Sequence, residues 1–173
     1  MSLKRRVAIG LVGFVIATVL WARLPAPSLS ENSRVDRIVV RKADRTLELF
    51  HGSELIRSYR VALGTEPVGP KRWLGDGRTP EGRYVIDYHK PDSSFHRALH
   101  ISYPSARDSA SARSMGVEPG GLIMIHGMKN GRGFVGRLHT LVDWTDGCIA
   151  VTDAEIDEIY GVVTDGTPIQ ILP

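Results

Sequence analysis

From residue 36 onward the apolar positions recur mostly at every second residue, the period of a strand with one buried face. Residues 38–41, 46–50 and 54–63 read as the strands of a meander, with turns at 43–45 and at His51-Gly52-Ser53 and with Leu47 and Leu49 on one face. Residues 84–88 alternate Tyr84, Ile86 and Tyr88 against Val85 and Asp87, and residues 98–103 form a further strand. Residues 122–125 read as a buried strand running into His126, residues 148–151 as a strand opening after Gly147, and residues 167–172 as the closing strand. Only residues 152–163 repeat at the helical period. Thr152 and Glu155 fit a capping box, and Ile156, Ile159, Tyr160 and Val163 make the apolar stripe. Two connectors stand out: a loop at 64–82 dense in Gly and Pro, and a long Ser, Ala, Arg and Gly segment at 104–121, a length that usually carries function. The pattern predicts a mainly β domain with one principal helix after the strand that follows Gly147.

Residues 7–22, VAIGLVGFVIATVLWA, break that pattern: sixteen residues without a charge follow Lys4, Arg5 and Arg6. As a helix they reach about 24 Å, against roughly 30 Å of bilayer hydrocarbon. They exceed the roughly 7–15 residues of a signal-peptide core, and no small-x-small cleavage site follows. The segment reads as a membrane anchor or export signal, with the anchor favoured. Its basic leading end places the following chain outside the cytoplasm, in the periplasm or cell envelope. The expected organisation is an N-terminal segment at 1–27, a Pro- and Ser-bearing linker at 28–35 and one catalytic-size domain at 36–173.

Composition sharpens this picture in three ways. Apolar residues at 42%, charged residues at 24%, 18 Gly and 10 Pro fit a turn-rich globular domain. The net charge of +3 comes from the N-terminal segment, because Lys4, Arg5, Arg6 and Arg23 precede the first acid and leave 18 basic against 19 acidic residues. The domain therefore lacks the basic stripe of a nucleic-acid binder. A single cysteine excludes an intramolecular disulfide framework and a multi-thiolate metal site.

The stretch that carries chemistry is IMIHGMKNGRGFVGRLHTLVDWTDGCIAV, residues 123–151. His126-Gly127 ends one strand and Gly147-Cys148 opens another, so both side chains are held rigidly and within reach of a ligand. Cys148 is a nucleophile only as thiolate, and His126 is the candidate base. Gly147 admits close backbone approach, and its N–H with that of Cys148 are candidate donors to a tetrahedral oxyanion. The competing assignment is a buried, inert cysteine.

This stretch resembles the active-site signature of the L,D-transpeptidase catalytic domain, the YkuD-type family: His-Gly, a gap, then Ser/Thr-His-Gly-Cys. His126 and Gly127 match the first element, and Thr145, Gly147 and Cys148 the second. Upstream, GPKRWLGDGRTPEGRY at 69–84 resembles the family's Lys, Gly-Asp and Thr-Pro-x-Gly run, so the likeness spans nearly all of residues 36–172. Asp146 stands where the family has a second histidine, Ala150 where Arg or Asn is common, and eighteen residues separate His126 from Thr145. These departures resemble a murein L,D-transpeptidase-like subgroup. The resemblance implies a β-sandwich or partly closed barrel. It implies Cys148 as nucleophile, His126 as general base and then acid, and the Gly127 carbonyl orienting the imidazole. Peptidoglycan stem peptides are then the substrate, and no cofactor or metal is implied; the expected membrane contact is the N-terminal segment read above. A hydrolase on the same site and a non-catalytic wall-binding module are the alternatives.

Thr145, Asp146, Trp144 and Tyr103 are candidate substrate-binding residues. Trp144 is either a core aromatic or a wall of the groove, Tyr103 with residues 104–121 a candidate lid, and Asp146 and Asp143 are expected to be exposed. His139 is expected on an exposed loop. His96 and His100 lie on a strand about 13 Å apart, too far to share a metal ion. Arg72, Arg78, Arg107, Arg113 and Lys129 are candidate partners for stem carboxylates, with solvated surface as their default.

Overall fold

A computed structural model of the chain describes residues 29–30 and 33–173. The expected membrane segment lies outside these residues, and among the described ones no helix is long and apolar enough to cross a membrane. The chain forms β1 (Arg37–Arg41), β2 (Thr46–His51), β3 (Glu54–Arg60), β4 (Gly82–Ser93) and β5 (His96–Ile101). Then come α1 (Ala106–Ser114), β6 (Met124–His126), a 3-10 segment (Gly133–Leu141), β7 (Ile149–Ala150), α2 (Asp153–Val162) and β8 (Pro168–Leu172). All eight strands join one mixed sheet in the order β3-β2-β1-β8-β4-β5-β6-β7.

The meander forms as the alternation dictates, with Leu47 opposite Val40 and Leu49 opposite Ile38, all fully buried. The last strand in sequence, β8, inserts beside β1 in parallel and beside β4 antiparallel. β4 is longer than the sequence indicates. It pairs first with β8 and then, through irregularities after Ile86 and Lys90, with β5. Pro91 sits at the second irregularity, where no ladder N–H is needed.

The two ends of the sheet approach each other. After β3 the chain runs back along β7: Ala62 and Ala150 exchange N–H···O bonds of 3.0 and 2.8 Å, and Gly64 bridges Thr145. The inward faces of both halves then share one core with Ile156 and Ile159 of α2. The helix begins as expected, with Thr152 and Glu155 forming a reciprocal capping box.

The segment at 104–121 departs from expectation, because a second helix, α1, occupies its middle. Ser105 and Asp108 cap α1 reciprocally, and only Ala112 is buried. With no apolar stripe to show a helical period, the Ser-x-x-Asp cap was its one signal.

Two buried lysines brace the loop after β3. Lys42 Nζ donates to the carbonyls of Gly69 and Thr79 and to Glu81 Oε1, at 2.6, 3.0 and 2.8 Å, so its three protons are all placed. Burial lowers its pKa, and Glu81 opposes that shift. Lys71 Nζ lies 2.7 Å from Asp76 Oδ1, both side chains being almost inaccessible. The Asp76 carboxylate also accepts the N–H groups of Arg72, Trp73 and Arg78.

Asp143, expected in solvent, is instead a clamp. It takes a two-point bond from Arg45 at 2.8 and 2.9 Å and accepts the Leu63 N–H at 2.9 Å. It thus ties the β1–β2 turn to the segment that closes the sheet. Asp143→Ala should lower the unfolding free energy by about 1–3 kcal/mol, because it leaves the Leu63 N–H without its acceptor and takes the carboxylate from a guanidinium that keeps only the Lys42 carbonyl. Asp143→Asn should cost less, since its amide oxygen still accepts from Leu63; urea denaturation of both variants checks the ranking.

Candidate active site

His126 ends β6, and Cys148 immediately precedes β7. The two strands are parallel, with Ile125 opposite Ile149 and His126 opposite Ala150. Side chains alternate across a strand, so Ile125 and Ile149 fill the core while His126 and Cys148 share the other face. From strand spacing and rise, their Cα atoms are about 8 Å apart on the diagonal, within reach of an imidazole.

The His126 ring is 5% exposed, and its Nδ1 lies 2.7 Å from the Gly127 carbonyl oxygen. A carbonyl only accepts, so Nδ1 carries the proton and Nε2 keeps a free lone pair. Burial lowers the imidazole pKa, and the Gly127 carbonyl partly restores it. Phe95 packs on the ring at 4.6 Å between centroids, and Trp144 meets it edge-on at 5.8 Å.

Cys148 is a free, half-buried thiol. Burial raises its pKa and the Asp146 charge adds to the rise, while a hydrogen bond from the Met124 backbone and the Lys71 charge pull it down. Sγ donates to the Leu122 carbonyl at 3.6 Å. The shifts favour a neutral thiol and a neutral imidazole at rest.

The turn before the cysteine is held by Thr145. Its hydroxyl donates to the Cys148 carbonyl at 2.7 Å and accepts the Gly147 N–H at 3.2 Å. The Gly147 N–H, expected to face an oxyanion, is thus directed inward to Thr145. Thr145 itself is 4% exposed and shapes the turn from beneath. Gly147 has φ +122°, and a Cβ there would overlap the Arg78 carbonyl oxygen, so the GDGRTPEG run backs the cysteine turn backbone to backbone. Asp146 points to solvent, as expected.

Other candidates are placed differently from expectation. Tyr103 is 3% exposed, in the core, and its hydroxyl donates to the Pro119 carbonyl at 2.9 Å. It tethers the segment after α1 and offers no surface to a groove. His139 is 4% exposed rather than on an exposed loop, because the 3-10 segment folds its ring in against Trp144. Neither of its nitrogens nor the Trp144 Nε1 has a hydrogen-bond partner among the described residues. Burial, reinforced by His126 and opposed by Asp153, brings the His139 pKa to about 4. Trp144 is half-buried and stands between the two histidines.

His96 and His100 lie on β5 as read, each bonded to its own carboxylate, Asp157 and Asp87. Among the described residues no group of His, Cys, Asp and Glu could hold a metal ion. Arg72 and Arg107 line a cleft of 580 Å³ between the 70–72 loop, the start of β4 and α1. Arg113 and Lys129 are exposed, and Arg78 is half-buried. Sequence reasoning missed Lys71, Asp76 and Asp153 as site-building residues. The first two could be seen only as part of a Gly-rich run, and the third only as a first-turn helix acid.

The chain matches the family model of the L,D-transpeptidase catalytic domain, YkuD, over residues 35–171. It is 34% identical over 134 residues to the Escherichia coli (strain K12) protein named "Putative L,D-transpeptidase YafK", covering 73% of this chain and 46% of that protein. Among solved structures, it is similar to the helical cell shape determining protein Pgp2 from Campylobacter jejuni at 23% identity and TM-score 0.59, over 82% of this chain and 48% of Pgp2. Bdellovibrio bacteriovorus Bd1075 gives 25% identity and TM-score 0.56, over 87% of this chain and 52% of that one. An L,D-transpeptidase from Mycobacterium smegmatis gives 15% identity and TM-score 0.51, over 79% and 58%. The chain thus spans about half the length of the relatives it matches.

The buried His139 gives a pH signature. Its folded pKa of about 4 lies below the ordinary 6.5, so the unfolded chain binds the proton first and stability falls as pH drops through 6.5. His139→Phe removes that loss. Relative to their difference at pH 8, the variant should gain about 2 kcal/mol over the parent by pH 5, read by denaturant unfolding at both pH values.

Proposed function

Because the chain belongs to the L,D-transpeptidase catalytic-domain family, we propose that it is a cysteine acyltransferase acting on peptidoglycan stem peptides. The observation that carries this reading is the His126 Nδ1–H···O=C bond to Gly127, which leaves Nε2 as a base on the strand beside Cys148. In the proposed reaction Nε2 takes the thiol proton as Sγ attacks the carbonyl of the L-centre before a terminal D-amino acid. The C–N bond breaks, the imidazolium returns the proton to the leaving amine, and a thioester remains. An amine from a neighbouring stem then resolves the thioester, giving a cross-link and restoring the thiol.

The resting electrostatics suit this order of events. A neutral imidazole accepts a proton, and a thiol held mainly protonated by burial stays unreactive until a substrate is beside it. Donors for the oxyanion come from the backbone around Cys148; the Gly147 N–H serves only by giving up the Thr145 hydroxyl. We further propose that residues 7–22 hold the domain at the outer face of a membrane, in the periplasm or cell envelope, where stems are within reach.

The test is mass spectrometry of diaminopimelate-type tetrapeptide stems incubated with the protein. Stem dimers with loss of D-alanine are expected. Cys148→Ala should abolish them, and His126→Ala should slow acylation about 10²- to 10⁴-fold. Shortened stems without dimers would make water the acceptor and the enzyme a hydrolase. Turnover undiminished in Cys148→Ala would overturn the mechanism.

A further inference from the structure

The carbonyl that orients His126 belongs to the peptide unit joining Gly127 to Met128. The N–H of that same unit donates to Asp153 Oδ1 at 2.7 Å. A trans peptide sets its C=O and N–H on opposite edges of one plane. The carboxylate, the peptide and the imidazole are therefore in series: Asp153 Oδ1 accepts from Met128 N–H, and the Gly127 oxygen accepts from His126 Nδ1. We infer that Asp153 is a positioning residue for His126, acting through the 127–128 peptide unit. The inference rests on His126 being the base of the proposed reaction.

Three features make this more than a first-turn helix acid. The α2 N-terminus is already capped by Thr152 and Glu155, so Asp153 is not needed there. Space for its carboxylate is cleared by two glycines. A Cβ on Gly127 would lie 2.7 Å from Asp153 Oδ1 and 3.0 Å from the Ile156 side chain, and one on Gly133 would overlap Asp153 Oδ2. Finally, hydrogen bonds to charged groups are the strong ones, and chains of them polarise one another. An anion on the N–H raises the acceptor strength of the carbonyl on the other edge. That favours the imidazolium formed when Sγ loses its proton, and it fixes the ring plane that aims Nε2.

The charged and titratable groups around this relay come from every adjoining element. His139 faces it from the 3-10 segment, His96 and Arg97 from β5 with their shared partner Asp157 on α2, and Cys148 lies on the same sheet face just before β7. Lys71 and Asp146 act on Cys148 from the two loops.

The experiment uses the full chain in detergent micelles and needs no substrate. The ring ¹⁵N shifts of His126 are titrated, and the alkylation rate of Cys148 by iodoacetamide is followed from about pH 5 to 9. Asp153→Asn keeps an acceptor for Met128 N–H but removes the charge. It should keep the native circular dichroism and lower the His126 titration by about one pH unit, with about a tenfold slower alkylation at neutral pH. Gly133→Ala displaces the carboxylate without changing any charge. It should shift both readings the same way by less, and it decides the matter if Asp153→Asn does not fold. Asp157→Asn, which removes a charge one turn further along α2, should shift neither. A folded Asp153→Asn with unchanged titration, or an equal shift in Asp157→Asn, would overturn the inference. If His126→Ala alkylates as fast as the parent, the base assignment fails, while the ring titration still decides the relay.

Discussion

Everything at the cysteine rests on backbone packed directly against backbone. Gly64, Gly77 and Gly147 meet where the chain after β3, the 75–79 turn and the 143–148 turn converge. A Cβ on Gly64 would overlap the Gly77 carbonyl, and one on Gly147 would overlap the Arg78 carbonyl. Glycine is the residue that permits this approach, and at Gly77 and Gly147 it also supplies the positive φ. The packing closes the sheet end to end, because Ala62 reaches Ala150 and Leu63 accepts the Trp144 and Thr145 N–H groups across the same seam. Loops alone would not keep three turns in register. They are braced by the Lys42–Glu81 and Lys71–Asp76 pairs, in which Lys42, Lys71 and Asp76 also bond the loop backbone, and by the Arg45–Asp143 clamp. Such pairs give modest net stability for their desolvation cost, but they fix geometry.

The His126–Cys148 pair inherits its electrostatic character from the same burial. The apolar and aromatic shell of Phe95, Trp144 and the strand faces around His126 disfavours an imidazolium, and the surroundings of Cys148 disfavour a thiolate. The groups that oppose this are all local dipoles or fixed charges: the Gly127 carbonyl, the Met124 N–H and Lys71. The site thus rests uncharged, and the polar groups that favour the charged pair already stand in place. His139 adds a second neutral imidazole against Trp144, held there by the 3-10 segment within the eighteen residues between His126 and Thr145.

Much of this was legible in the one-dimensional pattern. Alternation located the strands of the meander, the buried strand before His126 and the strand after Cys148. A capping box and an apolar stripe located α2. The His-Gly and Thr-x-Gly-Cys spacing, with the upstream Gly-Asp and Thr-Pro-x-Gly run, identified the family. Those features are local: a period, a cap or a motif is carried by neighbouring residues and needs no partner elsewhere in the chain. α1 was missed because its nine residues bury only Ala112, so it left no hydrophobic period.

What only the tertiary structure decided are relations between distant residues. β8 enters the middle of the sheet beside β1. His139 and Tyr103 turn inward, and Asp143 becomes a clamp, because burial and pairing depend on what packs against a residue rather than on its own chemistry. The Gly147 N–H goes to Thr145, and Asp153 reaches the peptide that holds His126, through contacts set by hydrogen-bond geometry over a few tenths of an ångström. The sequence by itself determined which residues can do chemistry and on which elements they ride. The fold decided which of them meet, because side-chain direction, desolvation and hydrogen-bond partners exist only once the core has closed.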